Sequence, residues 1–358
     1  MDCTTTELPF LNSIGLMLTY HCTIACPHCI VEAGPHRSEE VPLDLCFDWI
    51  EQIAAYGAGS VKGLALTGGE PFHDLDRLVQ VSDYGHELGL VVSAVSNAFW
   101  APSREAALAV LSRLPAVQML SLSTDAYHQR AIPFEHVENA VWAARQLGIG
   151  YNIAVCTDHE EDETYRRIMA DLEAAGLADG VRVSIAFPVG RAQKQSQRFH
   201  YRTAPTPTIS ACTMGGAPVL FPDGTVSACI GPILTLPPNH PLCLGNILHE
   251  PLAEILDRAE ENLILHTVRA WGPHKLVAFL QESGYGDLLP GEYICDCICD
   301  VCYKLMRDER IVAALREILT DEAQRHLIAY ARFYYLGEPQ LALRYGLVER
   351  AAEPMAAN

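Results

Sequence analysis

Residues 14–30 read IGLMLTYHCTIACPHCI. An apolar run ends abruptly in a loop that carries three cysteines at the spacing C-x3-C-x2-C: Cys22, Cys26 and Cys29. Continuous apolar residues bounded by a sharp change of character suit a buried strand of a parallel sheet. The run therefore predicts a first strand over 14–20 that delivers a thiol-rich loop to one end of the sheet. Three thiols fall one short of the four protein ligands that structural metal sites use. A zinc site completed by His21 or His28, a pair of disulfides, and an iron–sulfur cluster with one open corner are the readings this loop allows.

The pattern continues outward from this loop. Strand-like runs at 61–69, 90–96, 117–123, 151–157 and 181–187 alternate with helix-like stretches at 43–57, 74–88, 103–114, 134–148 and 163–176. Gly57, Gly148 and Gly176 stand where helix C-caps belong, and Ser103 where an N-cap belongs. Six strand–helix units predict an α/β chain in the form of a partial (β/α)6 barrel, short of the eight units of a complete one. In such folds chemistry gathers at the C-terminal strand ends, where Cys22, Gly68, Gly69, Asn97 and Asp125 fall.

The expected domains are a partial barrel over 1–195, a polar linker over 196–210, a cysteine-rich α+β extension over 211–302 and a helical tail over 303–358. A hairpin is expected around Pro222-Asp223-Gly224, helices over 251–283, a cysteine knuckle at 295–302, two amphipathic helices over 305–337, and disorder in the last ten residues.

Composition narrows the classes. The chain has 358 residues, 49% of them hydrophobic, with a formal net charge of −19. That charge opposes binding to a nucleic-acid backbone, which relies on clustered Lys and Arg. No apolar run reaches the ~20 residues of a membrane span, and no signal peptide opens the sequence, so a cytoplasmic location is the default expectation. Thirteen cysteines, an odd number concentrated at 22–29 and 295–302, point to metal ligation over a disulfide framework.

Taken together, C-x3-C-x2-C after the first strand and Gly68-Gly69-Glu70-Pro71 after the second resemble the radical S-adenosylmethionine (SAM) superfamily. The resemblance implies that Cys22, Cys26 and Cys29 hold a 4Fe–4S cluster whose fourth iron is chelated by SAM. His28 takes the place of the aromatic residue near the adenine, and Gly68, Gly69, Glu70 and Pro71 form the motif that receives the SAM amino group. Ser96 and Asn97, Ser123 and Asp125 in SLSTDAYH, and Arg191 in PVGRA occupy positions of further cofactor contacts. The implied reaction is reductive cleavage of SAM to a 5′-deoxyadenosyl radical that abstracts hydrogen from a substrate, with the electron delivered by a flavodoxin or ferredoxin.

Past the linker, Cys212-x11-Gly224-x4-Cys229 followed by Gly245-Asn246-Ile247 resembles the SPASM and Twitch extensions of that superfamily, which hold auxiliary 4Fe–4S clusters. The compressed Cys295-x-Cys297-x-Cys299-x2-Cys302 departs from their spacing and implies one auxiliary cluster. Cys212, Cys229, Cys299 and Cys302 are its expected ligands, with Cys295 and Cys297 as competitors; in an extended segment Cys295, Cys297 and Cys299 would share one face. Cys243 stands open between ligand and core residue, and Cys3, Cys46 and Cys156 read as buried thiols. Maturation of a ribosomally made peptide is the leading function. A small-molecule dehydrogenase or epimerase, with Cys156 or Cys243 as hydrogen donor and an aminocyclitol as one substrate type, is the alternative. Only thirteen residues precede the first expected strand, which weighs against an N-terminal peptide-recognition domain. A non-catalytic iron–sulfur carrier or redox sensor would have no use for GGEP.

Overall fold

The computed structural model describes residues 10–338 and 341. Cys3 and the last ten residues lie outside them.

The six expected strands form: β1 (Ser13–Met17), β2 (Gly63–Thr67), β3 (Val91–Ser96), β4 (Val117–Ser123), β5 (Gly150–Thr157) and β6 (Val181–Ile185). They pair in sequence order and in parallel. The crossovers run through α1 (Leu43–Ala55), α2 (Leu75–Glu87), α3 (Arg104–Leu111), α4 (Phe134–Leu147) and α5 (Glu163–Ala174). Ser103 caps α3 by accepting from the Ala106 amide at 3.2 Å, and Gly148 ends α4 with a left-handed φ of 71°. Gly57 is not a C-cap: α1 ends at Ala55 and a short 3-10 turn carries Gly57.

The sheet does not stop at β1. A strand β7 (Thr203–Ala204) lies apart, and β8 (Val219–Leu220) then pairs in parallel with β1, followed by antiparallel β9 (Thr225–Ser227) and β10 (Cys243–Asn246). The order is β10-β9-β8-β1-β2-β3-β4-β5-β6, so the expected hairpin covers the edge that β1 would otherwise expose. Gly15 permits this, since a Cβ there would stand 3.0 Å from Val219 Cγ2.

Helices follow as α6 (Leu252–Glu260), α7 (Leu263–Ala270) and α8 (His274–Glu282). Next come β11 (Tyr293–Ile294), α9 (Ile298–Met306), α10 (Glu309–Ile318) and α11 (Glu322–Leu336). The two helices expected over 305–337 are α10 and α11, and α9 precedes them, beginning inside the cysteine knuckle. The expected linker also carries structure: β7 pairs antiparallel with β11, and Phe199 is buried against Ala186 and Ala192. The main apolar core joins barrel and extension, running from Trp49 and Leu64 through Ile153 to Leu256, Phe279 and Leu315.

Candidate functional site

The C-terminal ends of β1–β6 open into a chamber of about 370 Å³. Its first wall is the loop after β1, where Cys22, Cys26 and Cys29 all face the cavity. The backbone of β2's exit holds this loop: Gly69 donates to Thr19 O at 2.7 Å and Glu70 to His21 O at 2.9 Å. A Cβ on Gly69 would sit 2.0 Å from His21 O, so the glycine serves close packing on the cysteine loop. From the far end of the barrel, Arg191 donates its amide to Cys29 O at 3.1 Å. Its guanidinium donates to Cys26 O at 2.7 Å and Ala33 O at 2.5 Å. Arg191 is thus occupied with the loop's main chain and clamps it.

Glu70 is fully buried and does not line the chamber. Its carboxylate accepts from Asn97 N at 2.7 Å, Ser96 Oγ at 2.9 Å and Phe72 N at 3.1 Å. Burial pushes its pKa up to about 7 against the pull of these donors. It ties β2's exit to β3's, and Pro71 opens the turn that follows. Gly68, Gly69, Ser96, Asn97, Ser123 and Asp125 do face the chamber. The Asn97 amide points at the cysteine loop, 3.8 Å from Cys22 Sγ and 3.2 Å from Thr23 Oγ1.

His28 lines the chamber with its ring tilted on Tyr127, centroids 4.5 Å apart. Burial holds it down to a pKa of about 4, so it is a neutral ring at working pH, and its buried Nδ1 has no hydrogen-bond partner among the described residues. His21 instead donates Nδ1–H to Arg37 O at 3.0 Å and does not line the chamber. Asp125 accepts from the amides of Tyr127 (2.8 Å) and His128 (2.9 Å), and from His128 Nδ1 at 2.9 Å. Burial alone would raise the Asp125 pKa, but its contacts with His128 outweigh it and keep the group a carboxylate.

The donor set fits a cluster. Three thiols free of disulfides face one cavity and interact electrostatically. Burial pushes Cys22 up to about 12, a penalty on the thiolate that a bound cationic metal would remove.

A second group of thiols borders the same chamber. Cys299 lies on the cavity wall, and its electrostatic neighbours are Cys297, Cys302 and Cys229. Those of Cys302 are Cys212, Cys229 and Cys297. Cys299 and Cys302 stand three apart on α9 and so share a helix face. The expected common face of Cys295, Cys297 and Cys299 does not form. Asp296 adopts a left-handed φ of 57° and breaks the extended run, leaving Cys295 bonded to Arg202 O at the strand end and Cys297 at the N-cap of α9. Cys243 begins β10, opposite Ser227, outside the thiol group. Cys46 is a buried thiol on α1. Cys156, expected as ordinary core, faces the chamber beside Ser184. His128, three residues beyond Asp125 in SLSTDAYH, was the site residue the sequence left unsingled.

No helix among the described residues is long and apolar enough to cross a membrane. No curated protein matches the chain. Among solved structures, similarity extends to BtrN in complex with AdoMet and 2-DOIA, at 13% identity over 72% of this chain and 87% of that one (TM-score 0.41). It extends also to methylornithine synthase (PylB), at 18% identity over 51% and 55% of the two chains (0.39), and to HydG, a maturase of the [FeFe]-hydrogenase, at 14% identity over 97% and 85% (0.39). Residues 16–172 match the Radical SAM superfamily, and this segment holds both the cysteine loop and Gly68-Gly69-Glu70-Pro71 at the mouth of a parallel α/β sheet. Residues 16–172 of the chain form a radical SAM superfamily domain.

Proposed function

We propose that this enzyme works on a substrate held between two iron–sulfur sites, and that it matures a ribosomally made peptide by an oxidative crosslink or thioether, or by epimerisation. The observation that carries the two-site reading is a single chamber lined by Cys22, Cys26 and Cys29 and also by Cys299. Cys22, Cys26 and Cys29 would hold one 4Fe–4S cluster and leave one iron to SAM. When bound and reduced, that cluster supplies the electron that cleaves SAM, and a flavodoxin or ferredoxin is the proposed reductant. Cys212, Cys229, Cys299 and Cys302 would hold an auxiliary cluster, with Cys297 as the competing fourth ligand, and Cys295 is set aside.

The chain's own residues position and shield. Arg191 and the Gly68-Gly69 backbone fix the cysteine loop, and Glu70 fixes Asn97 against it. Asp125 and His128 form a hydrogen-bonded pair beside the loop. His28 offers a neutral ring for the adenine. The apolar walls keep water from the reacting atoms. Dehydrogenation or epimerisation of a small molecule is the second reading, favoured by the modest chamber volume of about 370 Å³.

Anaerobic reconstitution followed by dithionite and SAM tests the reading. The parent should form 5′-deoxyadenosine and Cys26→Ala should lose it; equal formation by both sinks the assignment of the loop.

A further inference from the structure

The chamber is chemically divided. Every carboxylate, imidazole and amide side chain of its described lining belongs to the cysteine loop or the exits of β3 and β4: His28, Asn97, Asp125 and His128. The lining from β5, β6, the turn after β9 and α9 presents the apolar side chains Ala154, Val155, Ile185, Ala186, Phe187 and Ile230. The heteroatoms among its side chains are the Ser184 hydroxyl and the thiols of Cys156 and Cys299. Ser184 and Cys156 are hydrogen-bonded to each other.

Three main-chain acceptors on this wall are also occupied. Ala154 O accepts from Thr124 N at 2.9 Å, Phe187 O from Val189 N at 2.8 Å, and Ala186 O from the Tyr201 hydroxyl. A hydroxyl or amine placed here would lose its hydration and find few partners, at about 1–3 kcal/mol for each unpaired group and more for a charge. Apolar carbon would instead gain about 25 cal/mol per Å² buried.

We propose that the part of the substrate seated against the β5–β6 wall is an uncharged apolar carbon skeleton, aliphatic or aromatic. This rests on the reading of the polar lining as the cluster and SAM site. It disfavours a polyhydroxylated amine, and it leaves two sources of the same chemistry: an apolar side chain within a peptide, or a free apolar molecule.

Calorimetric binding to the reconstituted, SAM-loaded but unreduced protein separates these possibilities without turnover. The probes are N-acetyl-leucinamide, its serine counterpart, 2-deoxystreptamine, cyclohexanecarboxamide, and a pentapeptide with a central leucine flanked by alanines. The leucine amide should bind at least about tenfold more tightly than the serine amide, and 2-deoxystreptamine should be weaker still. The pentapeptide and cyclohexanecarboxamide arms then assign the source, the tighter of the two naming it. Ala154→Asp and Ile185→Asn should each erase the leucine preference, with SAM binding measured in parallel to report that the variant is folded. No leucine preference in the parent, or a preference for the serine amide or the aminocyclitol, overturns the proposal. If the parent fails to bind SAM at all, the reading of the cluster wall fails, and this inference falls with it.

Discussion

Glu70 shows how much of this site depends on one buried carboxylate. It accepts three hydrogen bonds while fully buried, and two of the donors belong to the exit of β3. In Glu70→Gln an amide –NH2 would face donors where a carboxylate oxygen now stands. Loss of about 1–3 kcal/mol is expected, read from urea unfolding midpoints, together with weaker SAM binding because Asn97 is no longer anchored. His266 carries a pH prediction of definite sign. It is fully buried, donates Nε2–H to Glu260 O at 2.8 Å and accepts from Arg269 at Nδ1 at 2.9 Å. Burial first, then Arg332 and Arg269, hold its pKa well below the usual 6.5. The unfolded chain binds the proton that the folded one refuses. Its contribution to stability is therefore complete above pH ~6.5 and is lost by about 1.4 kcal/mol per unit as pH falls below it. Denaturant titrations at pH 7.5 and 5.5 should show the loss in the parent and a smaller one in His266→Gln.

The cysteine loop has no regular structure of its own and is held by elements distant in sequence. Arg191, after β6, spans Cys26 O and Ala33 O with one guanidinium. A lysine cannot make that two-pronged contact. Arg191→Lys should speed amide exchange across residues 22–34 by about tenfold or more, with the exchange of β3 and β4 unchanged; a uniform change would contradict the clamp. In the extension, Asp300 accepts from Ile294 N at 2.8 Å and pairs with Lys304 at 2.8 Å, joining β11 to α9. Asp300→Ala should cost about 1–3 kcal/mol by orphaning a buried amide. It should also lower iron retention in a protein that lacks Cys22, Cys26 and Cys29. Spacing alone made Cys22, Cys26, Cys29 and Gly68-Gly69 legible, because tight loops and close approach are local properties of sequence. The clamp by Arg191, the burial of Glu70 and the separation of Cys295 from Cys299 were not legible. The first two depend on contacts between strands far apart in the chain, and the third on a left-handed residue, Asp296, that is not a glycine.

Across the chain, extension and barrel share a sheet and a core. The hairpin β8–β9 pairs onto β1, and α6 packs on α1, where Gln52 Oε1 accepts from Leu252 N at 2.9 Å. The alternation of apolar strands and helices foretold the barrel. It could not foretell that the later hairpin would extend the same sheet and bring Cys299 to the chamber wall. Two thiol groups thus reach one cavity, the second through Cys299, and the claim that both hold clusters is the centre of the account. Iron and acid-labile sulfide should be counted after anaerobic reconstitution of the parent and of the triple variant Cys22→Ala, Cys26→Ala, Cys29→Ala. The account predicts about eight iron per parent chain and about four in the variant. A folded variant that retains essentially no iron would contradict it.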